Sequence, residues 1–309
     1  MRMFLASLSI AGFAFSCFSG VSVTSASAET PFTIMVGEPS WLPEAATLAR
    51  AMDHEQGLRI LPVLGHGSLQ SMQDLQQFSA MNAALVSADT LAYAKMQNLL
   101  GTDNPKFSYV SAIKPLPVVL IAKRSIANVT ALAGKKIATG PADTASFAAG
   151  ELLLGAMEVP FLRVASAQEG AIDALTQSKA DAALVVGTPS NLDKLGGNYH
   201  VLTLVLPTDL ESTYKKISLS ATDVPGVITG NQQVDSVSTD LILAVNEANL
   251  SSDQSKALKT FEAEFFRQSA DSQNLLKQDV SGWTREANAA SLVKNLPASI
   301  TVTPTGATP

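Results

Sequence analysis

Two stretches decide the fold of this chain: SMQDLQQFSAMNAALVSADT at residues 71–90 and GAIDALTQSKADAALVVGTP at residues 170–189. When the two are aligned, Asp74 falls on Asp173 and the apolar run AALV recurs at the same place. Each stretch has a helical pattern followed by a short apolar run between turn residues, which predicts a helix and then a buried strand. We infer that the chain contains the same α/β unit twice.

The predicted elements around these stretches repeat one order, strand–helix–strand–helix–strand. The predicted strands are Thr33–Val36, Leu58–Leu64 and Asn82–Ser87 in the first run, and Lys136–Thr139, Val159–Val164 and Asp181–Val186 in the second. Strands that alternate with helices are typical of α/β folds. We therefore predict an α/β protein with two similar lobes joined by a β-strand hinge.

An apolar, β-rich segment separates the two runs. Its parts, Tyr109–Ile113 and Val118–Ala122, are interrupted by prolines. We predict that they are strands that cross between the lobes, with a hinge at Ile113–Val118 and a return crossing near Leu206–Lys216. The predicted division is residues 29–114 plus 207–296 for the first lobe, 115–206 for the second, and a flexible tail at 297–309.

The first 28 residues predict export from the cytoplasm. Arg2 precedes a charge-free apolar run from Met3 to Phe18, and Ala26-Ser27-Ala28 has the small-residue spacing of a signal-peptidase site. The run is shorter than the ~20 apolar residues that a membrane span needs. We expect a cleavable signal peptide at residues 1–28 and a soluble periplasmic domain. The alternatives are an uncleaved anchor and lipidation of Cys17.

Composition narrows the function class. Cys17 is the one cysteine of the chain, so the mature part would have no disulfide, thiol nucleophile or thiolate metal site. The net charge of −6 lacks the basic excess of a nucleic-acid-binding protein. We expect no cofactor, no metal and no nucleic-acid partner, and we expect a monomer.

The sequence lacks the motifs of the common enzyme classes. It has no G-x-S-x-G elbow and no G-x-x-x-x-G-K-[ST] phosphate loop. His54, His66 and His200 are not spaced as metal ligands. A nucleophile pair of Ser68 with His66 has no evident orienting acid. We therefore predict a binding protein and not an enzyme.

Five loops follow predicted strands and open predicted helices: Gly37–Trp41, Gly65–Ser68, Ser87–Asp89, Gly140–Ser146 and Gly187–Ser190. In open α/β sheets, ligands bind beyond the carboxyl ends of the strands, where helix N-termini offer unpaired N–H groups. Simple N-capping favours the same residue types and is the alternative for each loop. With Lys114 beside the hinge, the candidate ligand-binding residues are Glu38, Ser40, Trp41, His66, Gly67, Ser68, Ser87, Asp89, Lys114, Asp143, Thr144, Ser146, Gly187 and Thr188.

The chain resembles type II periplasmic solute-binding proteins, and among them the TAXI-type receptors and their NMT1-like relatives. The segment from Gly65 to Asp89 is similar to that family's glycine–serine turn, helix and apolar strand that ends in aspartate. LAGKKIATG at residues 132–140 is similar to its L-x-G-K-x-V-x-x-G motif, and residues 205–266 resemble its C-terminal course. The resemblance covers residues 32–277.

This resemblance implies a receptor that captures a small molecule in an interlobe cleft. It implies delivery of that solute to the integral-membrane subunits of a TRAP-type or ABC-type transporter. A ligand-sensing partner of a membrane sensor and a biosynthetic enzyme on the same fold are the alternatives.

Two loops depart from the family pattern because each has lost glycines and gained an acid, Glu38 in one and Asp143 in the other. A carboxylate at a helix N-terminus satisfies that terminus and repels a second anion. We therefore expect a neutral, cationic or largely apolar solute, with Trp41 and His66 in the wall of the site, and not a small dicarboxylate. The alternative is that both acids point to solvent.

Overall fold

The computed structural model describes residues 30–53, 57–100, 106–166, 170–268 and 276–296. The predicted signal peptide with Cys17, His54 and the predicted tail lie outside the described residues. The ten strands are β1 (Thr30–Val36), β2 (Leu58–Leu64), β3 (Ala83–Ser87), β4 (Phe107–Lys123), β5 (Lys136–Ala138), β6 (Leu162–Val164), β7 (Ala182–Val186), β8 (Tyr199–Val201), β9 (Lys215–Leu219) and β10 (Val234–Asn246). The helices with both ends in the described residues are α1 (Leu42–Met52), α2 (Ser68–Gln77), α3 (Asp89–Met96), α4 (Ala145–Ala156), α5 (Ala171–Thr176), α6 (Ser252–Gln268) and α7 (Ala287–Lys294).

All ten strands belong to one mixed sheet with the order β2-β1-β3-β10-β4-β7-β5-β6, to which β8 and β9 add by pairing with β4 and β10. Strands β2, β1 and β3 are parallel to one another, and so are β6, β5 and β7. In each trio the first strand in the chain lies in the middle. We call β1–β3 with α1–α3 the first unit, and β5–β7 with α4 and α5 the second unit. The repeated order confirms the predicted α/β class with two similar lobes.

The two long strands β4 and β10 lie between the units and pair antiparallel with each other. β10 pairs with β3 of the first unit, and β4 pairs with β7 of the second. β4 is continuous, so the prediction of two interrupted strands is wrong. Pro115 and Pro117 lie within it, opposite Asp240 and Ser238. A proline lacks the backbone N–H donor but keeps its carbonyl acceptor. The carbonyl of Pro117 accepts a hydrogen bond from the N–H of Gly187 at 2.8 Å.

The predicted return segment, Leu206–Lys216, contains a 3-10 helix at Thr208–Leu210 and the start of β9. The long strand that runs back toward the first unit is β10. The division of the chain at residues 114 and 206 stays a prediction.

Apolar clusters cover both faces of the sheet. On the first unit, Phe261 of α6 stacks on Phe32 of β1 with ring centroids 4.4 Å apart. Side chains along a strand alternate between faces, so Leu120 of β4 joins the larger cluster and Ile121 joins the smaller one under α5. Within the described part of the chain, no helix combines the length and the apolar character that a membrane crossing requires.

Candidate functional site

A cavity of about 350 Å³ lies where both units meet β4. Its walls come from the 3-10 helix Pro39–Trp41 after β1, from Lys114–Pro117 of β4, and from the turn Gly187–Ser190 after β7. Ile172 of α5 closes one side. This volume is typical of small-molecule sites, which span roughly 300–1,000 Å³. The cavity also lies at the carboxyl ends of β1 and β7, where α/β sheets bind their ligands.

The cavity wall presents polar and apolar surface in nearly equal parts. Trp41 and Leu116 border the cavity but are each only 1% exposed, so they offer a solute little surface. The hydroxyls of Ser40 and Thr188 also border the space. Lys114 borders it as well, but its ammonium forms an ion pair with Glu44 of α1. The arrangement suits a small molecule that combines apolar surface with a neutral polar group.

Glu38 places a buried carboxylate at the junction of the two units. Its side chain follows β1 and the residue is 1% exposed. Oε1 of Glu38 accepts a hydrogen bond from the N–H of Ala145 at 2.8 Å. Ala145 is the first residue of α4, so the carboxylate occupies the N-terminus of a helix in the second unit. Glu38 therefore does not point to solvent.

A second link between the units runs through the backbone of Asp143. The N–H of Leu69, in the first turn of α2, donates to the carbonyl oxygen of Asp143 at 3.0 Å. Gly67 permits this approach: its φ is +141°, and a Cβ there would lie 2.2 Å from that oxygen. The half-buried Asp143 side chain also acts on Tyr93, whose pKa is raised first by burial and then by this carboxylate, against the opposing charge of Arg163.

Ser68, Ser87 and Asp89 are buried and bind one another. Ser68 Oγ accepts from the Ser87 N–H at 3.1 Å, and Ser87 Oγ donates to Asp89 Oδ1 at 2.6 Å. The hydroxyl of Tyr214, which precedes β9, donates to Asp89 Oδ2 at 2.7 Å. Burial raises the pKa of Asp89 to about 6, although the Ser87 and Tyr214 hydrogen bonds act to lower it. These groups form an internal polar network.

Thr144 and Ser146 make hydrogen bonds at the start of α4. Thr144 is the N-cap, and its Oγ1 accepts from the Phe147 N–H at 3.3 Å. Ser146 Oγ accepts from the N–H of Val186, at the end of β7, at 3.0 Å. Both side chains are buried. For Thr144 the observed contact is the N-cap that was the alternative to solute contact.

The structure separates the predicted site residues into groups. Those that line the cavity are Ser40, Trp41, Lys114, Gly187 and Thr188. A second group lies at the junction of the units: Glu38, Gly67, Asp143 and Thr144. A third group is buried and forms hydrogen bonds with other protein groups: Ser68, Ser87, Asp89 and Ser146. His66 is exposed and does not line the cavity. Solute contact by any of them stays a prediction.

Sequence reasoning missed several cavity residues. Ser190 lies in a predicted site loop, and Pro115 and Pro117 lie in the predicted hinge, so their position was within reach of the sequence argument. Ile172 faces the cavity from α5 and carries no signal of its own, because an apolar helix residue looks the same wherever it is buried. Among the residues that the structure describes, no group of three or more His, Cys, Asp or Glu side chains is placed to hold a metal ion.

No family model and no curated protein matches the sequence. Solved structures resemble the chain distantly. One described as a periplasmic transporter has a TM-score of 0.49 and 14% identity, over 85% of this chain and 93% of that one. The amino acid ABC transporter substrate-binding protein AbpA from Streptococcus pneumoniae, bound to L-arginine, has a TM-score of 0.46 and 12% identity, over 86% and 94%. The alkanesulfonate-binding protein SsuA from Xanthomonas axonopodis pv. citri, bound to MOPS, has a TM-score of 0.47 and 14% identity, over 86% and 80%.

Proposed function

We propose that this chain is an extracytoplasmic receptor that captures a small molecule in the cavity between its two units and delivers it to a membrane transporter. The observation that supports this function is the cavity itself, at the carboxyl ends of β1 and β7 and against the middle of β4. Two units joined by long strands can open and close on such a cavity. Hinge bending around a solute is the usual motion of receptors built this way.

The finer assignments rest on the sequence alone. The glycine–serine turn at Gly65–Ser68 and the motif at residues 132–140 favour a TAXI-type receptor. The predicted signal peptide favours the periplasm. We accordingly propose a TRAP-type or ABC-type transporter as the membrane partner.

The cavity also supports a class of solute. Apolar contact would come from Pro39, Pro115 and Pro117, which keep accessible surface at the cavity, and hydrogen bonds would come from the hydroxyls of Ser40 and Thr188. The charge of Lys114 is balanced by Glu44. We propose a neutral or cationic molecule with a substantial apolar surface.

A thermal-shift screen of metabolites tests the function. A solute that binds only the folded state adds ~2.7 kcal/mol of stability at 100 times its Kd. Thr188→Trp should fill the cavity and abolish the shift, because Thr188 is an exposed residue on the cavity wall. Thr222→Trp, at an exposed threonine outside the cavity lining, is the matched control and should keep the shift.

Two results would contradict the proposal. The first is a shift that Thr188→Trp and Thr222→Trp both retain, since the solute would then bind elsewhere. The second is a new chemical species formed from the solute only in the presence of the protein, measured by mass spectrometry over hours. That result would favour the enzyme on the same fold.

A further inference from the structure

The two units make reciprocal contacts at their helix N-termini. The carboxylate of Glu38, in the first unit, accepts from the first N–H of α4 in the second unit. The carbonyl of Asp143, beside the second unit's α4, accepts from Leu69 in α2 of the first unit. One N–H of each of these termini is thus bonded by the other unit, and both contacts are made between protein atoms alone.

Aromatic packing extends the same junction. Tyr93 of α3 meets Phe147 of α4 edge to face, with ring centroids 5.8 Å apart. The guanidinium of Arg163 covers the Phe147 ring at 4.1 Å. Two side chains of the first unit, Tyr93 and Glu38, therefore contact the start of α4.

We propose that Glu38 is a latch that holds the two units closed before any solute binds. This inference rests on the proposed function, because a latch has a role only in a receptor that must open. A buried carboxylate at a helix N-terminus gains both a charge-assisted hydrogen bond and the favourable helix dipole. Both gains are lost when the units separate, because Ala145 then moves away from β1.

Distance measurements between the units test the latch in the absence of any solute. Cys17 lies in the predicted signal peptide, so cysteines introduced into the exported chain can carry spin labels. Ala51→Cys in α1 and Ala133→Cys before β5 are exposed positions on either side of the junction. Pulsed electron paramagnetic resonance should give one short distance for the chain with a native Glu38.

Three variants of this labelled chain separate the latch from general effects. Glu38→Ala should add a longer distance and raise the open-to-closed ratio about tenfold, because the closed form would then bury the Ala145 N–H without this acceptor. Glu38→Gln keeps an oxygen acceptor for Ala145 without the charge, so its open fraction should lie between those two. Glu211→Ala is the control, because Glu211 is an exposed acid whose ion pair is with Lys216, and it should leave the distance unchanged.

The latch is overturned if the chain with native Glu38 already shows both distances, or if Glu38→Ala keeps its single short distance. If Glu38→Ala does not unfold cooperatively, Glu38→Gln decides in the same way. These measurements include no solute. A failed latch therefore leaves the result of the metabolite screen standing, and a failed screen leaves the latch standing.

Discussion

Gly67 shows how a single residue controls the approach of the two units. Its φ of +141° is rarely adopted by residues with a side chain, and its missing Cβ leaves room for the carbonyl of Asp143. Gly155, near the end of α4, has no heavy atom within 4 Å of its ideal Cβ position and no unusual φ. The two glycines therefore differ in what an added methyl group would meet.

We predict opposite effects for the two glycine-to-alanine changes. Gly67→Ala should lower the free energy of unfolding by ~1–3 kcal/mol, because the methyl group would force the Asp143 backbone away. Gly155→Ala should raise it by ~0.5–1 kcal/mol, because alanine is the better helix residue. Urea denaturation of both variants measures this difference. Equal effects from the two changes would contradict the close packing at Gly67.

At the scale of single residues, the sequence predicted which side chains are chemically unusual but not which groups they contact. It singled out Glu38 and Asp143 as unusual acids in glycine-poor loops. It could not show that Glu38 would be buried, because its partner Ala145 lies 107 positions away along the chain. Asp143 contacts the first unit through its backbone carbonyl, which every residue has. Ser68 and Ser87 fit a ligand loop and an internal network equally well, since both use the same hydroxyl.

At the scale of elements, the repeated order was readable because its units are local. Each strand and helix of a unit has its own apolar pattern, and the echo at residues 71–90 and 170–189 matches α2–β3 and α5–β7. The strand predicted at Val159–Val164 begins only at Leu162. Pro160 precedes it and cannot donate to a ladder.

The strands that cross between the units were harder to assign, because an apolar pattern in the sequence does not show which unit a strand packs against. Residues Leu219, Val224 and Ile228 pack in the cluster under α5 of the second unit. They follow the predicted boundary at residue 206. We propose that the second boundary between the lobes lies within β10 instead.

A buried glutamate of α6, Glu262, forms a hydrogen bond with α7. Glu262 of α6 is fully buried, and its Oε2 accepts from Asn288 of α7 at 2.6 Å. Glu286 lies beside it and caps α7 through the N–H of Ala289 at 2.7 Å. Burial, reinforced by the Glu286 carboxylate and opposed by Asn288, raises the pKa of Glu262 to about 8 from 4.5. Between these two pKa values the Glu262 carboxyl is protonated in the folded chain and ionised in the unfolded chain.

This raised pKa predicts a loss of stability as the pH rises. Between about pH 4.5 and 8 the folded state binds more protons than the unfolded state, so the free energy of unfolding falls across that window. Glu262→Gln is uncharged and can still accept from Asn288. It should be more stable than the native chain by at least ~1.4 kcal/mol at pH 8, the value of one pKa unit, with a smaller difference at pH 5.

Glu264, on the same helix, is the matched control for this experiment. Its hydrogen bond from Arg267 at 2.9 Å lowers its pKa, so its contribution is present above the ordinary pKa and is lost in acid. Glu264→Gln should therefore give no gain at pH 8. The role of Glu262 would be contradicted if the difference in free energy of unfolding between the native and Glu262→Gln chains stayed constant from pH 5 to 8.

Across the whole molecule, the charges near the proposed solute site disfavour an anion. Glu38 occupies the N-terminus of α4, and the Asp143 carbonyl occupies an N–H of α2. Lys114 is paired with Glu44, and the net charge of the chain is −6. An anionic solute would have to replace Glu38 or bind beside the Glu38 and Asp143 carboxylates, and both are unfavourable.

We therefore predict that small dicarboxylates such as succinate and glutamate do not bind the native chain tightly, whereas the solutes found by the screen are neutral or cationic. Titration calorimetry measures this, with succinamide as an uncharged ligand of similar shape. Removing a nearby negative charge should improve the affinity for an anion by about fivefold, equivalent to ~1 kcal/mol. Glu38→Gln should have more effect than Asp143→Asn, because Glu38 is 1% exposed and Asp143 is only half-buried. Tight binding of a dicarboxylate by the native chain, unchanged in both variants, would show that these acids do not select the solute.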